Sequence, residues 1–252
     1  MFIVWGKRVT RKKVGYVADF CPMCREAETF LLREVRSYSH IYYIPTSSST
    51  LHGYERVCQG CKLALSGAPK QYVASPKRPA HVREIVERSF PGFHEVYGER
   101  LKVEEALRVA PDSLAKNVRR ALIQQPFLVL SPLVEAQYGR TSIDWVIGAS
   151  LVGGLATILL AVQLTEWLPY DYHTMAFAAG GLLGVSLIIW AFATAARRFV
   201  KRKIAPRAAR TLRPLRPTEP EIAAALADLK QMGHKIGGIL KPAHVVAALQ
   251  AK

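Results

Sequence analysis

Residues 142–196 contain no lysine or arginine, although the chain of 252 residues carries a net charge of +16. Two uncharged runs lie within this segment, 145–165 with 21 residues and 174–196 with 23. A helix rises about 1.5 Å per residue, so each run is long enough for the ~30 Å hydrocarbon core of a bilayer. Buried helices of a soluble protein are the alternative, but such helices rarely continue this far without a charge. The sequence therefore predicts a two-helix transmembrane hairpin, with spans at about 145–166 and 174–196.

The flanks of this hairpin predict its orientation. The connector holds Glu166 and Asp171 but no basic residue, whereas a basic cluster follows the second span. The cluster consists of Arg197, Arg198, Lys201, Arg202 and Lys203. Because positively charged flanks stay on the cytoplasmic side, we expect both termini in the cytoplasm and the connector outside. The spans carry no ionisable side chain at mid-depth, which favours an anchor over a transporter.

Small residues recur four positions apart in both spans, as Ala149 and Gly153 and as Gly180 and Gly184. This spacing places two small side chains on one helix face, where another helix can approach closely. The pattern predicts packing of the two spans against each other. Self-association into a homo-oligomer is the alternative use of the same face.

All four cysteines lie in the first 61 residues, as two Cys-x-x-Cys pairs separated by 33 residues. They are Cys21, Cys24, Cys58 and Cys61. This is the spacing of a zinc ribbon, in which two tight turns close a tetrahedron of thiolates around Zn²⁺. Two disulfides or a redox dithiol are the alternatives, but a reducing cytoplasm disfavours the first and a matched pair of motifs disfavours the second. Four thiolates leave no open position, so the predicted site is structural, with His40 and His52 outside it.

The residues around the cysteines fit a small antiparallel sheet, with strands predicted at 30–36 and 40–44 and a return strand at 54–57. The order of features resembles the small bacterial zinc-ribbon family: a Met-Phe-Ile-Val-Trp-Gly-Lys strand, Cys-Pro-x-Cys, Ile-Tyr-Tyr-Ile-Pro and a final Cys-x-x-Cys. The resemblance covers residues 1–65, about a quarter of the chain, and implies the same four cysteines as ligands. That family commonly has glycine directly after a knuckle, where this chain has Arg25 and Lys62. The family has no agreed biochemical activity, so the resemblance supports the fold more than the function. Together with the two predicted spans, we expect the chain in a bacterial plasma membrane.

A Ser/Pro/Gly-rich linker is predicted at 66–80, followed by a cytoplasmic α-helical module at 81–141. Its third helix begins near residue 112, with Asp112 or Ser113 as the N-cap. The apolar segment 126–134 contains two prolines and is too short to span a bilayer. A short helical C-terminal tail is predicted at 218–252, with one helix at 221–231 capped by Thr218 and another from Pro242.

Residues 197–217 hold nine lysines and arginines and no acid. Pro206, Pro214 and Pro217 predict an extended strip here rather than a long helix. The cluster that ends at Lys203 is sufficient to set the orientation. The basic residues after it are expected to contact anionic lipid headgroups. Its four arginines are Arg207, Arg210, Arg213 and Arg216. Nucleic acid is the alternative partner, because a basic strip attracts either polyanion.

The sequence therefore predicts a multi-part membrane protein: a small β zinc ribbon, a helical module, a transmembrane hairpin and a helical tail. No nucleophile and base occur at a catalytic spacing, so the chain is not expected to be an enzyme. The predicted function is a membrane-anchored adaptor that presents the zinc domain and helical module to a protein partner at the cytoplasmic face. The alternative is a membrane-tethered nucleic-acid-binding protein that uses the basic head and juxtamembrane stretch.

Overall fold

The computed structural model describes residues 5–42, 44–110, 114–138, 144–167 and 169–251. The chain divides into two compact units, Met1–Ala115 and Lys116–Lys252. We call the first the head unit and the second the helical unit. Met1–Val4 of the predicted N-terminal strand, Tyr43, and the predicted caps Asp112 and Ser113 lie outside the described residues.

The head unit is built on an antiparallel sheet whose strand order is β1-β2-β4-β5, with the short β3 paired to β2. The strands are β1 Trp5–Cys21, β2 Glu26–Ile41, β3 Ile44–Pro45, β4 Thr50–Cys58 and β5 Ala64–Gly67. The sequence predicts two strands at 30–36 and 40–44, but most of this segment forms the single strand β2. Pairing continues across the polar Ser37-Tyr38-Ser39 because β1 is long enough to bond along it, from Cys21↔Glu26 to Trp5↔Ile41.

The segment predicted as a linker at 66–80 is ordered against β1. Its first residues belong to β5, and Pro69–Gln71 form a 3₁₀ turn. The amide of Tyr16 donates to the Pro76 carbonyl at 2.8 Å, which covers the outer edge of β1. A side chain at Gly15 would collide with the Ser75 carbonyl, so glycine allows this close approach. The prediction of a linker was wrong because these residues bond to the sheet edge.

Helices α1 Val82–Ser89 and α2 Phe93–Val109 complete the head unit. The Ala18 amide donates to Ser89 Oγ at 2.9 Å, and this buried bond ties α1 to β1. The helices bury Ile85, Phe93 and Leu107 in a core shared with strand residues. These strand residues include Val17, Phe20, Phe30 and Leu32. The predicted helical module at 81–141 is therefore divided: α1 and α2 belong to the head unit, and the next helix belongs to the helical unit.

The helical unit contains seven α-helices among its described residues. They are α3 Lys116–Tyr138, α4 Trp145–Thr165, α5 Tyr170–Phe199, α6 Ala205–Leu212, α7 Glu219–Gln231, α8 Lys235–Ile239 and α9 Pro242–Gln250. Helix α3 runs through Pro126 and Pro132 without a break. Each proline lacks the backbone N–H that would form a helix hydrogen bond. Packing of α3 against α6, α7 and α8 supports the helix despite these missing bonds.

Helices α4 and α5 are long and apolar enough to cross a membrane, and they pack against each other as an antiparallel pair. Their contact uses glycines: a Cβ on Gly154 would lie 2.9 Å from the Gly184 carbonyl, and one on Gly180 would collide with Ala161. Gly180 and Gly184 therefore lie in the contact, as predicted. Gly153 has open space around its position and Ala149 is exposed, so the predicted pair on the first span faces away from α5.

Gly180→Leu is expected to weaken the α4–α5 contact, because the new side chain must displace Ala161. Overpacking of this kind costs about 1–3 kcal/mol. The matched control is Gly181→Leu, since nothing lies within 4 Å of a Cβ at that adjacent position. Unfolding of the full chain in mixed micelles, followed by circular dichroism as SDS is increased, measures the difference. Equal destabilisation by both changes would contradict the assigned contact face.

Helix α5 does not end at the membrane flank. It continues through a π-helical turn at Val200–Ile204 into α6 and a final 3₁₀ turn at Arg213–Leu215. The prediction of an extended basic strip was wrong because the π-helical turn precedes Pro206 and absorbs the break that its missing N–H would cause. The buried face of α6, which includes Ala208 and Leu212, packs against α9 and α3.

The C-terminal helices follow the predicted pattern. Helix α7 begins after Thr218, whose amide donates to Glu221 Oε2 at 2.8 Å in a capping box. Glu221 also accepts from Arg119 Nε of α3 at 2.7 Å. The Arg119 guanidinium lowers the pKa of Glu221 to about 2, so this carboxylate stays charged in the physiological range. Gly233, at φ +85°, follows the end of α7, and α9 begins at Pro242.

Candidate metal centre

The four cysteines of the head unit come together at one end of the sheet. Cys21 ends β1 and Cys58 ends β4, while Cys24 and Cys61 follow in the turns after these strands. The sulfurs all lie within 4.8 Å of one another. Cys21 Sγ is 3.6 Å from Cys61 Sγ, and Cys24 Sγ is 3.7 Å from Cys58 Sγ. Among the described residues, this is the group of three or more cysteine, histidine or acidic side chains close enough to hold a metal ion.

The two turns that carry the cysteines have the same backbone. The Arg25 amide donates to the Cys21 carbonyl at 2.7 Å, and the Lys62 amide donates to the Cys58 carbonyl at 3.1 Å. The residue after the second cysteine is left-handed in both turns, with φ of 64° at Arg25 and 59° at Lys62. These are the positions where the resembling family commonly has glycine. The two turns therefore share one conformation, although neither residue has the conformational freedom of glycine.

Backbone amides point at the sulfurs. The Cys24 amide donates to Cys21 Sγ at 3.4 Å, and the amides of Cys61 and Leu63 hydrogen-bond to the sulfurs of Cys58 and Cys61. Hydrogen bonds with Cys21 and Cys24 lower the pKa of the Cys58 thiol to about 7, and the same two partners lower the pKa of Cys61. The hydrogen bond with Cys21 raises the pKa of Cys24. A bound cation would favour the thiolate form of all four cysteines, because zinc binds sulfur as the thiolate.

The sulfur positions fit a tetrahedral Zn²⁺ site. With a Zn–S bond of about 2.3 Å, the edge of an ideal S₄ tetrahedron is about 3.8 Å. The two short sulfur separations, 3.6 and 3.7 Å, are close to that edge. All four cysteines are free, so no disulfide competes for the sulfurs. The four cysteine thiols are thus compatible with a metal site that has no open coordination position.

Charged neighbours secure the first turn in the head unit. Arg25 is buried, and its Nε donates to Glu104 Oε2 of α2 at 2.7 Å. Glu104 Oε1 in turn pairs with Arg100 at 2.8 Å. Burial of an ion pair is favourable only with good geometry and further polar partners. Here it fixes α2 directly to the residue after Cys24.

A buried carboxylate two residues before Cys21 organises the other side of the site. Asp19 is fully buried in β1 and accepts from Gln71 Nε2 at 2.8 Å, from Tyr72 Oη and from Tyr97 Oη at 2.8 Å. Arg56 of β4 completes the group through an ion pair. Asp19 was not among the predicted site residues, because its partners lie 37–78 residues further along the chain. The only local signal is an acid inside the apolar run Val-Ala-Asp-Phe-Cys.

The two histidines of the ribbon lie on the strands and not at the cysteine cluster. His40 lies on β2, opposite Gly6 of β1. His52 lies on β4, and its Nε2 is 2.5 Å from Ser37 Oγ. Neither belongs to the group of possible metal ligands.

Comparison of the chain with protein-family models, curated proteins and solved structures finds no match. The four cysteines are therefore assigned on the geometry of the site.

Proposed function

We propose that this chain is a membrane-anchored adaptor of the bacterial plasma membrane, with a zinc-ribbon head that offers a folded surface to a protein partner in the cytoplasm. The observation that carries the proposal is the closed cysteine tetrad, in a chain that also has two helices of membrane length. Four thiolates around Zn²⁺ leave no position for water or substrate, so the metal would hold the fold rather than perform chemistry.

Cys21, Cys24, Cys58 and Cys61 would hold the zinc ion. The metal would neutralise the thiolates and clamp the ends of β1 and β4 together. The Arg25–Glu104 pair would then transmit that constraint to α2. The resemblance to the small bacterial zinc-ribbon family supports this part of the proposal.

The exposed apolar surface of α4 and α5 supports membrane insertion. Leu155, Leu159 and Leu160 of α4 are exposed, as are Leu182, Ile189 and Trp190 of α5. At one end of the hairpin, Asp144 caps α4 and accepts from Arg198 Nε of α5 at 3.0 Å. Arg198 thus has a partner at the level where the apolar helices end, as expected for a charge at the membrane interface.

We expect both termini to be cytoplasmic. Tyr170→Cys places a thiol at the exposed connector end of α5, and Val73→Cys places one on the exposed surface of the head unit. An impermeant maleimide added to intact spheroplasts should label the first variant and not the second, while permeabilisation should expose both. Unchanged wild-type protein, with its four cysteines in the head, is the control. Labelling of Val73→Cys with protection of Tyr170→Cys would reverse the orientation.

The helical unit offers a basic surface next to this membrane end. Arg207, Arg210, Arg213 and Arg216 are all exposed, while the opposite side of α6 is buried. We propose that these arginines bind anionic lipid headgroups, to which each basic residue adds about 1 kcal/mol near the surface. The conformation supports this, since α6 and the 3₁₀ turn after it place Arg207, Arg210 and Arg213 close in sequence to the span that leads into them.

Changing these four arginines to glutamine should reduce the anionic lipid that remains bound to the purified full chain, and leave topology unchanged. Native mass spectrometry of protein released from phosphatidylglycerol-containing membranes measures the retained lipid. The matched control changes four exposed arginines of the head unit to glutamine: Arg78, Arg83, Arg88 and Arg108. Equal lipid retention by the wild type and the Arg207–Arg216 variant would reject this lipid role.

Adaptor function is tested by cross-linking in intact cells before detergent extraction. A protein partner should be captured by the wild-type chain and lost from Cys58→Ser, whose apolar helices remain in the membrane. Val73→Ser is the control for an exposed change in the same unit and should retain the partner. Capture of nucleic acid in place of protein, removable with nuclease, would favour the alternative of a membrane-tethered nucleic-acid-binding protein.

A further inference from the structure

The end of the sheet far from the cysteines carries an exposed apolar cluster, which we call the ribbon tip. Its members are Trp5, Ile41, Tyr42 and Ile44. Strand register brings them together: Trp5 pairs with Ile41, and Ile41 pairs with Ile44. Trp5 is 79% exposed and Ile44 is 67% exposed. Exposed apolar side chains grouped at one end of a sheet indicate an interaction site on a folded protein.

A group of basic side chains lies directly behind the tip on β1, which we call the basic collar. It consists of Lys7, Arg8, Arg11, Lys12 and Lys13, all exposed. Arg11 pairs with Glu55 at 2.9 Å, and Glu55 also accepts from Arg33 at 3.0 Å. The strands run about 50 Å from Cys21 to Trp5 at about 3.3 Å per residue. The tip and collar are therefore remote from the metal site.

We propose that the ribbon tip inserts into the interface of an anionic lipid bilayer while the basic collar contacts its headgroups. Tryptophan and tyrosine prefer the headgroup level of a membrane, and isoleucine gains by entering the acyl region. The collar adds attraction to anionic lipid over a Debye length of about 8 Å. This proposal rests on the proposed membrane anchor, because the connection of the head to the spans keeps the tip at high effective concentration near lipid.

The composition of the tip favours lipid over nucleic acid. A nucleic-acid surface needs basic residues and aromatic rings, and this ribbon has both. Two of the four tip residues, Ile41 and Ile44, are aliphatic, however, and aliphatic side chains add little to base stacking or phosphate contacts. A lipid interface interacts with aliphatic, aromatic and basic side chains together. Here the aliphatic and aromatic residues lie at the ribbon tip and the basic residues lie in the collar next to it.

The test uses full-length protein in vesicles whose acyl chains carry bromine, which quenches tryptophan emission on contact. The Trp5-only variant has Trp145, Trp167 and Trp190 changed to phenylalanine. We expect its emission to shift to shorter wavelength and to be quenched in phosphatidylglycerol–phosphatidylcholine vesicles. Both effects should be much smaller in phosphatidylcholine alone. The two leaflets are identical, so the orientation of the protein in the vesicle does not matter.

Two further variants assign the effect to the tip and the collar. Ile41→Ser with Ile44→Ser should abolish quenching of Trp5, whereas Val73→Ser with Val96→Ser, at exposed valines elsewhere in the head unit, should preserve it. Lys7, Lys12 and Lys13 changed to glutamine should remove the preference for anionic lipid. One zinc per chain in each variant shows that the head has folded.

A Trp190-only variant separates this proposal from that of the anchor. Trp190 is exposed on α5, so bromine near the acyl region should quench it if the spans are inserted. Quenching of Trp190 with unquenched Trp5 would overturn the tip proposal and leave the anchor. Trp5 emission that responds to a single-stranded oligonucleotide but not to brominated lipid would overturn it in favour of nucleic acid. Equal quenching of Trp5 in neutral and anionic vesicles would also overturn the proposal, because the basic collar would then have no role in binding.

Discussion

Cys58→Ser is expected to release the metal and unfold the cysteine end of the head unit while α4 and α5 remain in the membrane. Cys58 is buried at the end of β4, and its sulfur lies 3.7 Å from Cys24 Sγ. A structural zinc ion contributes about 10–16 kcal/mol in zinc-finger peptides, which is comparable with the whole net stability of a domain, about 5–15 kcal/mol. Loss of one ligand should therefore remove more free energy than the sheet and its two helices can replace.

Elemental analysis of the full chain in detergent should give one zinc per wild-type chain and none in Cys58→Ser. Limited proteolysis should then cut the head unit rapidly and spare the apolar helices. His52→Ala is the matched control, because His52 lies near the cysteines in sequence but bonds to Ser37 on the strands. Retention of zinc by Cys58→Ser, or its loss from His52→Ala, would contradict the assignment of the four cysteines as the ligand set.

Acid should release the metal as well. Zinc requires all four sulfurs as thiolates, so protons compete with it, and affinity falls as the pH falls. Hydrogen bonding with Cys21 and Cys24 lowers the pKa of Cys58 to about 7. Because zinc displaces protons from the thiols, metal uptake should release protons at neutral pH.

The parts of the fold that sequence could predict are those determined by neighbours close in the chain. The Cys-x-x-Cys turns, the two uncharged runs and the Thr218–Glu221 capping box each occupy one short segment. Arg25 and Lys62 differ from the glycine of the resembling family, yet both take the left-handed conformation. The backbone of the knuckle therefore follows from the turn and its hydrogen bonds, and the side chain adapts to it.

The predictions that were wrong concern segments whose conformation depends on distant partners. The helical module predicted at 81–141 is divided, because α3 packs against α6, α7 and α8 of the helical unit. The Ser/Pro/Gly-rich segment after β5 resembles a linker in composition and yet bonds to β1 through Tyr16. The Arg119–Glu221 pair spans 102 residues, so no local pattern reveals it. Tertiary contacts override local propensity in each case.

Asp19 is the strongest example of such a distant determinant, and its replacement by alanine should have the second largest effect on the head unit. Its carboxylate is fully buried, pairs with Arg56 and accepts hydrogen bonds from Gln71, Tyr72 and Tyr97. Alanine would leave the Arg56 guanidinium, which is largely buried, without its counter-ion, together with two phenolic hydroxyls. Removal of one partner from a buried ion pair costs about 3–5 kcal/mol.

This loss is measurable through the metal, because Asp19 lies two residues before Cys21 on the same strand. Zinc released to a colorimetric chelator should appear at a markedly lower urea concentration in Asp19→Ala than in the wild-type full chain. Glu34→Ala is the matched control: it breaks a carboxylate–arginine pair of the same sheet, at 2.9 Å from Arg36, but at a solvent-accessible position. Accessible pairs contribute about 0–1 kcal/mol, so its release curve should nearly overlay the wild type. Equal changes in the urea concentration of zinc release would mean that Asp19 contributes no more than a surface ion pair. Asp19 and its hydrogen-bond partners would then not be what holds β1, β4 and α2 together near the cysteines.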